Sequence, residues 1–110
     1  MRKSSLDKMI RGWFIGNFPR AVYRTTEFEV AVKSEKAGAR VNKHFHKVAS
    51  EITLVVKGII LFNNKRFAEG DIIVIAPGEA VDYRVVKDAV TVIVKVPSVQ
   101  KDKYYTERGK

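Results

Sequence analysis

Apolar and polar residues alternate along most of the chain from Glu27 onward. Phe28, Val30 and Val32 alternate with charged neighbours, and the runs 52–57 and 90–96 show the same alternation. A period of two is typical of a β-strand that turns one face toward a core. Many of these residues are β-branched, which suits the pleated surface of a sheet. The pattern therefore predicts a series of strands.

Turn-forming residues separate the predicted strands. The pair Asn63-Asn64 predicts a two-residue hairpin turn, because asparagine tolerates a positive φ angle. Further turn signals occur at Gly58, Gly70-Asp71, Pro77-Gly78 and Lys87-Asp88. Short strands at this spacing, with little sign of helix, predict an all-β fold that is either a sandwich or a small barrel.

The two ends of the chain lack this alternation. The front contains the apolar segment Trp13-Phe14-Ile15, which must pack on something. We predict an N-terminal arm over 1–26 that lies against the barrel or against a second copy of it. A barrel over 27–97 follows, and then a polar tail over 98–110 that wraps the surface or frays.

The composition restricts the chemistry that the chain can perform. With 110 residues it is expected to form one domain with one core. It has no cysteine, so any metal ion must be held by nitrogen and oxygen ligands. We see no secretory signal and no apolar run long enough to cross a bilayer. A cytoplasmic protein without a membrane partner is the expectation.

The formal net charge of +9 is high for this length. It has three interpretations: a surface with excess lysine, an anionic small ligand such as a phosphorylated sugar, or nucleic acid. The positive residues are scattered and form neither a basic helix nor an arginine-rich run. Nucleic acid therefore ranks last.

The two histidines of the chain suggest a metal site. His44 and His46 are two residues apart, so on a strand their side chains share a face. Glu51 follows after a short interval that can turn the chain into the next strand. Two imidazoles and one carboxylate suit Fe, Mn, Ni or Co and tolerate Zn, and they leave coordination positions open. A His-x-His pair also occurs on strands that bind nothing, so the pair alone is weak evidence.

The spacing around these residues resembles the first motif of the cupin family. That motif is carried here by Gly38, His44, His46, Glu51 and Gly58, and the segment 70–78 is similar to part of the second motif. The resemblance implies a cupin-type double-stranded β-helix, also called a jelly-roll barrel. It also implies a divalent metal ion held by the two histidines and the glutamate, a small-molecule ligand and a homodimer.

The chain departs from the second cupin motif at one ligand. Val81 stands where metal-binding cupins usually have a histidine, and Val85 stands where an asparagine is usual. Three explanations stay open: Asp82 supplies an oxygen ligand through a β-bulge, water fills the position, or the site no longer binds metal. The chain also resembles a subgroup of small cupins in which an acidic residue at the position of Asp82 is familiar.

Three residues are candidates for acid–base chemistry: Asp82, Tyr83 and Lys95. If Val94 and Val96 face the core, Lys95 points outward, and this is the interpretation that we favour. The opposite parity would bring its amine into the cavity, where it could bind an anion or act as a base. Tyr83 could line the mouth of the barrel.

The resemblance and the ligand set together suggest two functions. The first is a metal-dependent isomerase or epimerase, or a dioxygenase, that acts on a small sugar-like or carboxylate molecule. The alternative is a binding module without turnover. The missing histidine and the lack of an obvious base favour that alternative.

Overall fold

A computed structural model describes residues 1–106, and the last four residues of the predicted tail, 107–110, lie outside the described residues. A single 3-10 turn, Leu6–Lys8, precedes the sheet. Eight strands follow: β1 (Trp13–Ile15), β2 (Glu29–Glu35), β3 (Arg40–Phe45), β4 (Ser50–Phe62), β5 (Lys65–Ala68), β6 (Ile72–Ile75), β7 (Val81–Val96) and β8 (Tyr104–Tyr105).

The strands form one antiparallel sheet that is organised around the two longest strands, β4 and β7. The strand order is β1-β2-β7-β3-β8, and β4 pairs with β5, β6 and β7. The β4–β7 ladder runs from Ser50 opposite Val96 to Phe62 opposite Tyr83. Its register shifts near Gly58, and shifts of this kind bend a sheet so that it can curl around an interior.

The predicted hairpin turn is confirmed. Asn63 and Asn64 separate β4 from β5 and have φ angles of 51° and 64°. Two consecutive positive φ angles give a turn whose twist matches that of the flanking strands.

The interior of the barrel lies on the less aliphatic face of the long strands. On β4, Thr53 and Val55 are 1% and 0% exposed, whereas Val56 is 45% exposed. On β7, Thr91 is buried and Val96 is 44% exposed. The face that carries most of the valines of β7 therefore points outward, and the parity that we favoured for this strand is wrong.

An apolar cluster fills one part of the interior. Its buried members are Val55, Ile60, Phe62, Ile75, Val81, Val85 and Ala89. At about 25 cal/mol for each Å² removed from water, burial of such side chains is the main stabilising contribution to a small domain. The rest of the interior is polar and contains the candidate site.

The N-terminal segment lies against the barrel. Strand β1 pairs with β2, with Trp13 opposite Ala31. Gly12 has a φ angle of +83°, and a Cβ atom there would lie 2.0 Å from the carbonyl oxygen of Val32. Only glycine fits this close approach. At the other end of the chain, β8 pairs with β3. Within residues 1–106, no helix has the length and apolar character needed to cross a membrane.

Candidate metal centre

The two histidines and Glu51 line one cavity of about 540 Å³ inside the barrel. Its other lining residues are Arg11, Trp13, Lys33, Glu35, Val41, Thr53, Phe62, Tyr83, Thr91, Ile93, Lys95 and Lys103. A larger cavity of about 620 Å³ lies under the N-terminal residues, but its lining contains no histidine and no carboxylate. The chemistry therefore points to the smaller cavity.

Each histidine is oriented by a main-chain carbonyl. His44 donates from Nδ1 to the carbonyl of Asn42 at 2.8 Å, and His46 donates from Nδ1 to the carbonyl of Asp102. A carbonyl can only accept, so the proton of each neutral imidazole is on Nδ1 and the lone pair is on Nε2. This is the tautomer in which a histidine can bind a metal ion through Nε2.

His46 and Glu51 form the most distinctive contact of the site. The Nε2 atom of His46 lies 3.3 Å from Oε1 of Glu51, yet within residues 1–106 this buried nitrogen has no hydrogen-bond partner. A lone pair and a carboxylate oxygen that face each other repel unless a proton or a cation lies between them. The arrangement therefore requires either a proton on Nε2, which would donate to Glu51, or a metal ion.

Glu51 is held as an anion in spite of its burial. Burial raises the pKa of its carboxyl, but the nearby imidazole of His46 and the ammonium group of Lys95 outweigh it and leave the pKa below its ordinary value. Thr53 donates to the other carboxylate oxygen at 3.3 Å. An ionised and oriented carboxylate is what a divalent cation requires.

His44 stands farther from the pair. Its ring centroid lies 5.5 Å from that of His46, nearly perpendicular to it. Burial lowers the pKa of His44, and the hydrogen bond to Asn42 opposes this only in part, so the imidazole is available in its neutral form. Among residues 1–106, no three histidine or acidic side chains already converge at ligating distance.

Asp102 supports the loop between the histidines and Glu51, and sequence reasoning missed it. Its carboxylate accepts hydrogen bonds from the main-chain amides of Lys47, Val48 and Ala49 at 2.8, 3.1 and 3.0 Å. Its side chain is buried, and these three amides lower the pKa of the carboxyl against the opposite effect of burial. The sequence signal was that Asp102-Lys103-Tyr104 is one of the segments that resemble the cupin subgroup, and this resemblance does not identify the distant partners of Asp102.

Lys95 points into the cavity, in contrast to the orientation that we favoured from the sequence. It lies directly opposite Glu51 in the β4–β7 ladder, and its Nζ atom is 4.0 Å from Oε2 of Glu29. The outer face of β7 is aliphatic and partly exposed, so the alternation alone could not show which face was internal.

Tyr83 lines the same cavity, but its hydroxyl group is already engaged. It donates to Oε1 of Glu35 at 2.7 Å. Burial raises the pKa of Tyr83, and the carboxylate of Glu35 raises it further. A phenol whose pKa is raised in this way gives up its proton reluctantly, so Tyr83 is a poor candidate for a base.

Asp82 is turned away from the site, because the register shift that lies opposite it on β3 does not bring its carboxylate into the cavity. Val81 and Tyr83 occupy the inner positions of β7, and the alternation of the strand sends Asp82 outward. There its carboxylate accepts from the amide of Asn63 at 3.1 Å. Asp82 stabilises the hairpin turn and does not reach the cavity. Val81, at the position of the missing histidine, belongs to the apolar cluster.

Trp13 and Lys33 also line the cavity and were missed as site residues. Trp13 comes from the arm, and Lys33 comes from the inner face of β2. Glu29, Lys33 and Glu35 alternate with apolar residues on β2, and this alternation shows that the charged residues share one face. Charged positions on a strand ordinarily indicate the face toward solvent, so this face was not expected to be internal.

No protein-family model matches the sequence, and no curated protein matches it. The fold does match solved structures. An uncharacterised protein with a double-stranded β-helix domain from Klebsiella pneumoniae has a TM-score of 0.71 at 19% identity, with 97% of this chain and 93% of that chain covered. KdgF from Halomonas sp. has a TM-score of 0.61 at 20% identity, with 69% and 75% covered.

A third similar structure is a sugar phosphate isomerase of the cupin superfamily from Silicibacter pomeroyi. Its TM-score is 0.55 at 19% identity, and the match covers 64% of this chain and 50% of that chain. Identities this low establish the fold and leave the activity open. The predicted architecture is confirmed: the chain has a double-stranded β-helix fold.

Proposed function

We propose that this protein is a metal-binding cupin that acts on a small polar molecule. The observation that carries the proposal is the buried, unpartnered Nε2 atom of His46 facing the ionised carboxylate of Glu51. His44 would supply the third ligand, and the ion would be Fe, Mn, Ni, Co or Zn. A divalent ion with open positions supplies Lewis-acid chemistry of the kind used in isomerases and epimerases, or oxygen chemistry when the ion is iron.

The residues of the cavity support a role in proton transfer. The ammonium group of Lys95 shares the cavity with Glu51 and the histidines, and an ammonium group in this position can donate a proton to a ligand held beside it. We therefore favour Lys95 as the general acid. The volume of about 540 Å³ falls within the range of small-molecule sites.

A binding module without turnover is the second candidate. The observation that favours it is the replacement of the usual fourth ligand by Val81, which is 6% exposed and packed in the apolar cluster. Asp82 does not take over that position, because it faces outward and binds the amide of Asn63. Turnover of a bound ligand by the metal-loaded protein would exclude this candidate.

Metal-dependent stabilisation tests the proposal. A ligand that binds only the folded state at one hundred times its Kd stabilises that state by about 2.7 kcal/mol. We expect a rise in Tm with at least one of the five divalent ions and the loss of this rise in Glu51→Gln. The matched control Glu69→Gln, at an exposed acidic position, should respond like the original protein. Equal responses of the two variants would contradict the proposal.

We also propose that the protein forms a homodimer in the cytoplasm. The outer face of β6 carries Ile72 and Val74, which are 66% and 64% exposed, and such residues favour a covering partner. Sedimentation of the original protein and of Ile72→Lys tests this proposal. A monomer in both cases would overturn it.

A further inference from the structure

Two lysines of the cavity meet beside one indole ring. The Nζ atom of Lys33 lies 5.4 Å from the centroid of the Trp13 ring, and that of Lys95 lies 5.1 Å from it. The backbone explains this convergence. Trp13 pairs with Ala31 on β2, Ala31 pairs with Ile93 on β7, and the two lysines flank this row from the inner faces of their strands. A cation is favoured beside the face of an indole ring.

The cavity around this ring is electropositive. Four cationic side chains line it, from Arg11, Lys33, Lys95 and Lys103, against the carboxylates of Glu35 and Glu51. With neutral histidines, the lining has two excess positive charges. Both carboxylates are also engaged, since Glu35 accepts the Tyr83 hydroxyl and Glu51 faces His46.

Lys33 lacks a counterion of its own. Within residues 1–106 it takes part in no ion pair, whereas Lys95 lies 4.0 Å from Glu29. Burial lowers the pKa of Lys33, and the charges of Arg11, Lys95 and Lys103 lower it further against the opposite effect of Glu35. A half-buried ammonium group among other cations is costly unless an anion joins it.

We propose that Lys33, Lys95 and Trp13 form a subsite for the anionic end of the ligand, a carboxylate or a phosphate monoester. This inference rests on the proposed function, since the rest of the ligand would extend toward His46 and Glu51 in the same cavity. The two ammonium groups neutralise the anion, and the ring face of Trp13 shields the pairs from water. The excess positive charge also attracts anions toward the cavity.

Trp13 provides the measurement, because it is the only tryptophan of the chain. Its fluorescence can be titrated in the full chain with inorganic phosphate, with glycolate and with neutral glycerol, at constant ionic strength. We expect a saturable change with phosphate or glycolate and none with glycerol. The tighter of the two anions identifies the ligand group as phosphate or carboxylate. The absence of a saturable change with both anions would overturn the proposal.

Substitutions show whether the lysines cause the binding. We expect the variant with Lys33→Gln and Lys95→Gln to bind the anion at least about tenfold more weakly, which is 1.4 kcal/mol or more. Lys33→Arg keeps the charge and should keep most of the affinity. The control Lys65→Gln, at an exposed position on β5, should bind like the original protein. Unchanged affinity in the double variant would overturn the proposal.

The anion subsite and the metal site can fail separately. Glu51→Gln should lose the metal-dependent rise in Tm and still bind phosphate or glycolate, because both lysines remain. The variant with Lys33→Gln and Lys95→Gln should lose its affinity for the anion and keep the metal-dependent rise in Tm. Loss of anion binding in Glu51→Gln, with the lysines intact, would show that the two sites are one and would overturn a separate subsite.

Discussion

The interior of the barrel contains two regions of opposite character on the same two strands. In the apolar region, Val55 and Ile60 of β4 pack with Val85 of β7. In the polar region, Glu51 of β4 lies opposite Lys95 of β7. Only three residues of β4 separate Glu51 from Val55. Along the β4–β7 ladder, the inward-facing residues therefore change from the charged residues of the candidate site to the apolar residues of the core within a few positions.

The apolar region stabilises the fold, whereas the polar region contains the groups that can bind or react with a ligand. Apolar burial in the core stabilises the fold, whereas buried charges reduce stability unless they are paired. The polar region contains an unpartnered nitrogen on His46 and an ammonium group on Lys33 without an ion pair among the described residues. Groups left in this state at one end of a well-packed barrel are typical of a binding site.

A substitution that creates a cavity in the apolar region should have the largest effect on the free energy of unfolding. Ile60 is fully buried, and Ile60→Ala is expected to lower the free energy of unfolding by about 2–5 kcal/mol. Urea denaturation measures this loss. The metal-dependent rise in Tm should survive, because the substitution lies outside the polar region. Val86→Ala, at a 47% exposed position, serves as the control and should stay within about 0.5 kcal/mol. Loss of metal binding in folded Ile60→Ala would show that the regions are not independent.

Asp102→Ala should affect both regions, because it leaves the amides of residues 47–49 without their acceptor. The amide of Ala49 is buried and the other two are partly buried, so the loss of their acceptor is expected to lower the free energy of unfolding by about 1–3 kcal/mol. The loop also carries His46, so the affinity for metal should fall by about tenfold or more. Asp102→Asn retains an acceptor oxygen and should lose less of both. Competition with a chelator measures the affinity. A loss of stability with unchanged affinity would restrict Asp102 to a structural role.

Acid should destabilise the polar region through His44. Burial holds the pKa of this imidazole below its ordinary value of 6.5, so the unfolded chain binds the proton more readily than the folded chain. The free energy of unfolding of the metal-free protein should therefore fall as the pH drops below about 6.5, and the lowered pKa values of Glu51 and Asp102 should extend the fall to more acidic pH. His44→Gln should reduce this fall. Identical pH profiles of the two proteins would contradict the account.

Thr91→Val should have the smallest effect, and it tests the border between the regions. Thr91 is 1% exposed and lies opposite Val55, and its hydroxyl group has no hydrogen-bond partner within residues 1–106. Removal of a buried unpaired hydroxyl group should raise the free energy of unfolding by up to about 1 kcal/mol. Thermal unfolding of the metal-free protein measures it. A clear loss of stability would show that the hydroxyl group is satisfied in solution.

Local patterns predicted much of the fold and the centre of the site. The alternation predicted the strands, and Asn63-Asn64 predicted the hairpin. The spacing of His44, His46 and Glu51 predicted that these residues lie together, and all three line one cavity. These features could be predicted because each is determined by residues that are close together in the sequence or by a motif with fixed spacing.

The remaining parts of the site depend on contacts that the sequence does not encode locally. Lys95 was assigned to the wrong face, because both faces of β7 carry apolar residues and the period of two fits either parity. Asp102 binds amides more than fifty residues away, and Trp13 reaches the cavity only through the pairing of β1 with β2. Asp82 failed as a site residue because the hairpin turn engages it.

The metal content of the untagged protein tests the central claim most directly. Plasma mass spectrometry should be performed on the original protein, on His46→Ala and on Glu51→Gln, each loaded with Fe, Mn, Ni, Co or Zn and then desalted. The account predicts roughly one ion per chain in the original protein and far less in both variants. No ion in the original protein, or the same amount in all three, would contradict it.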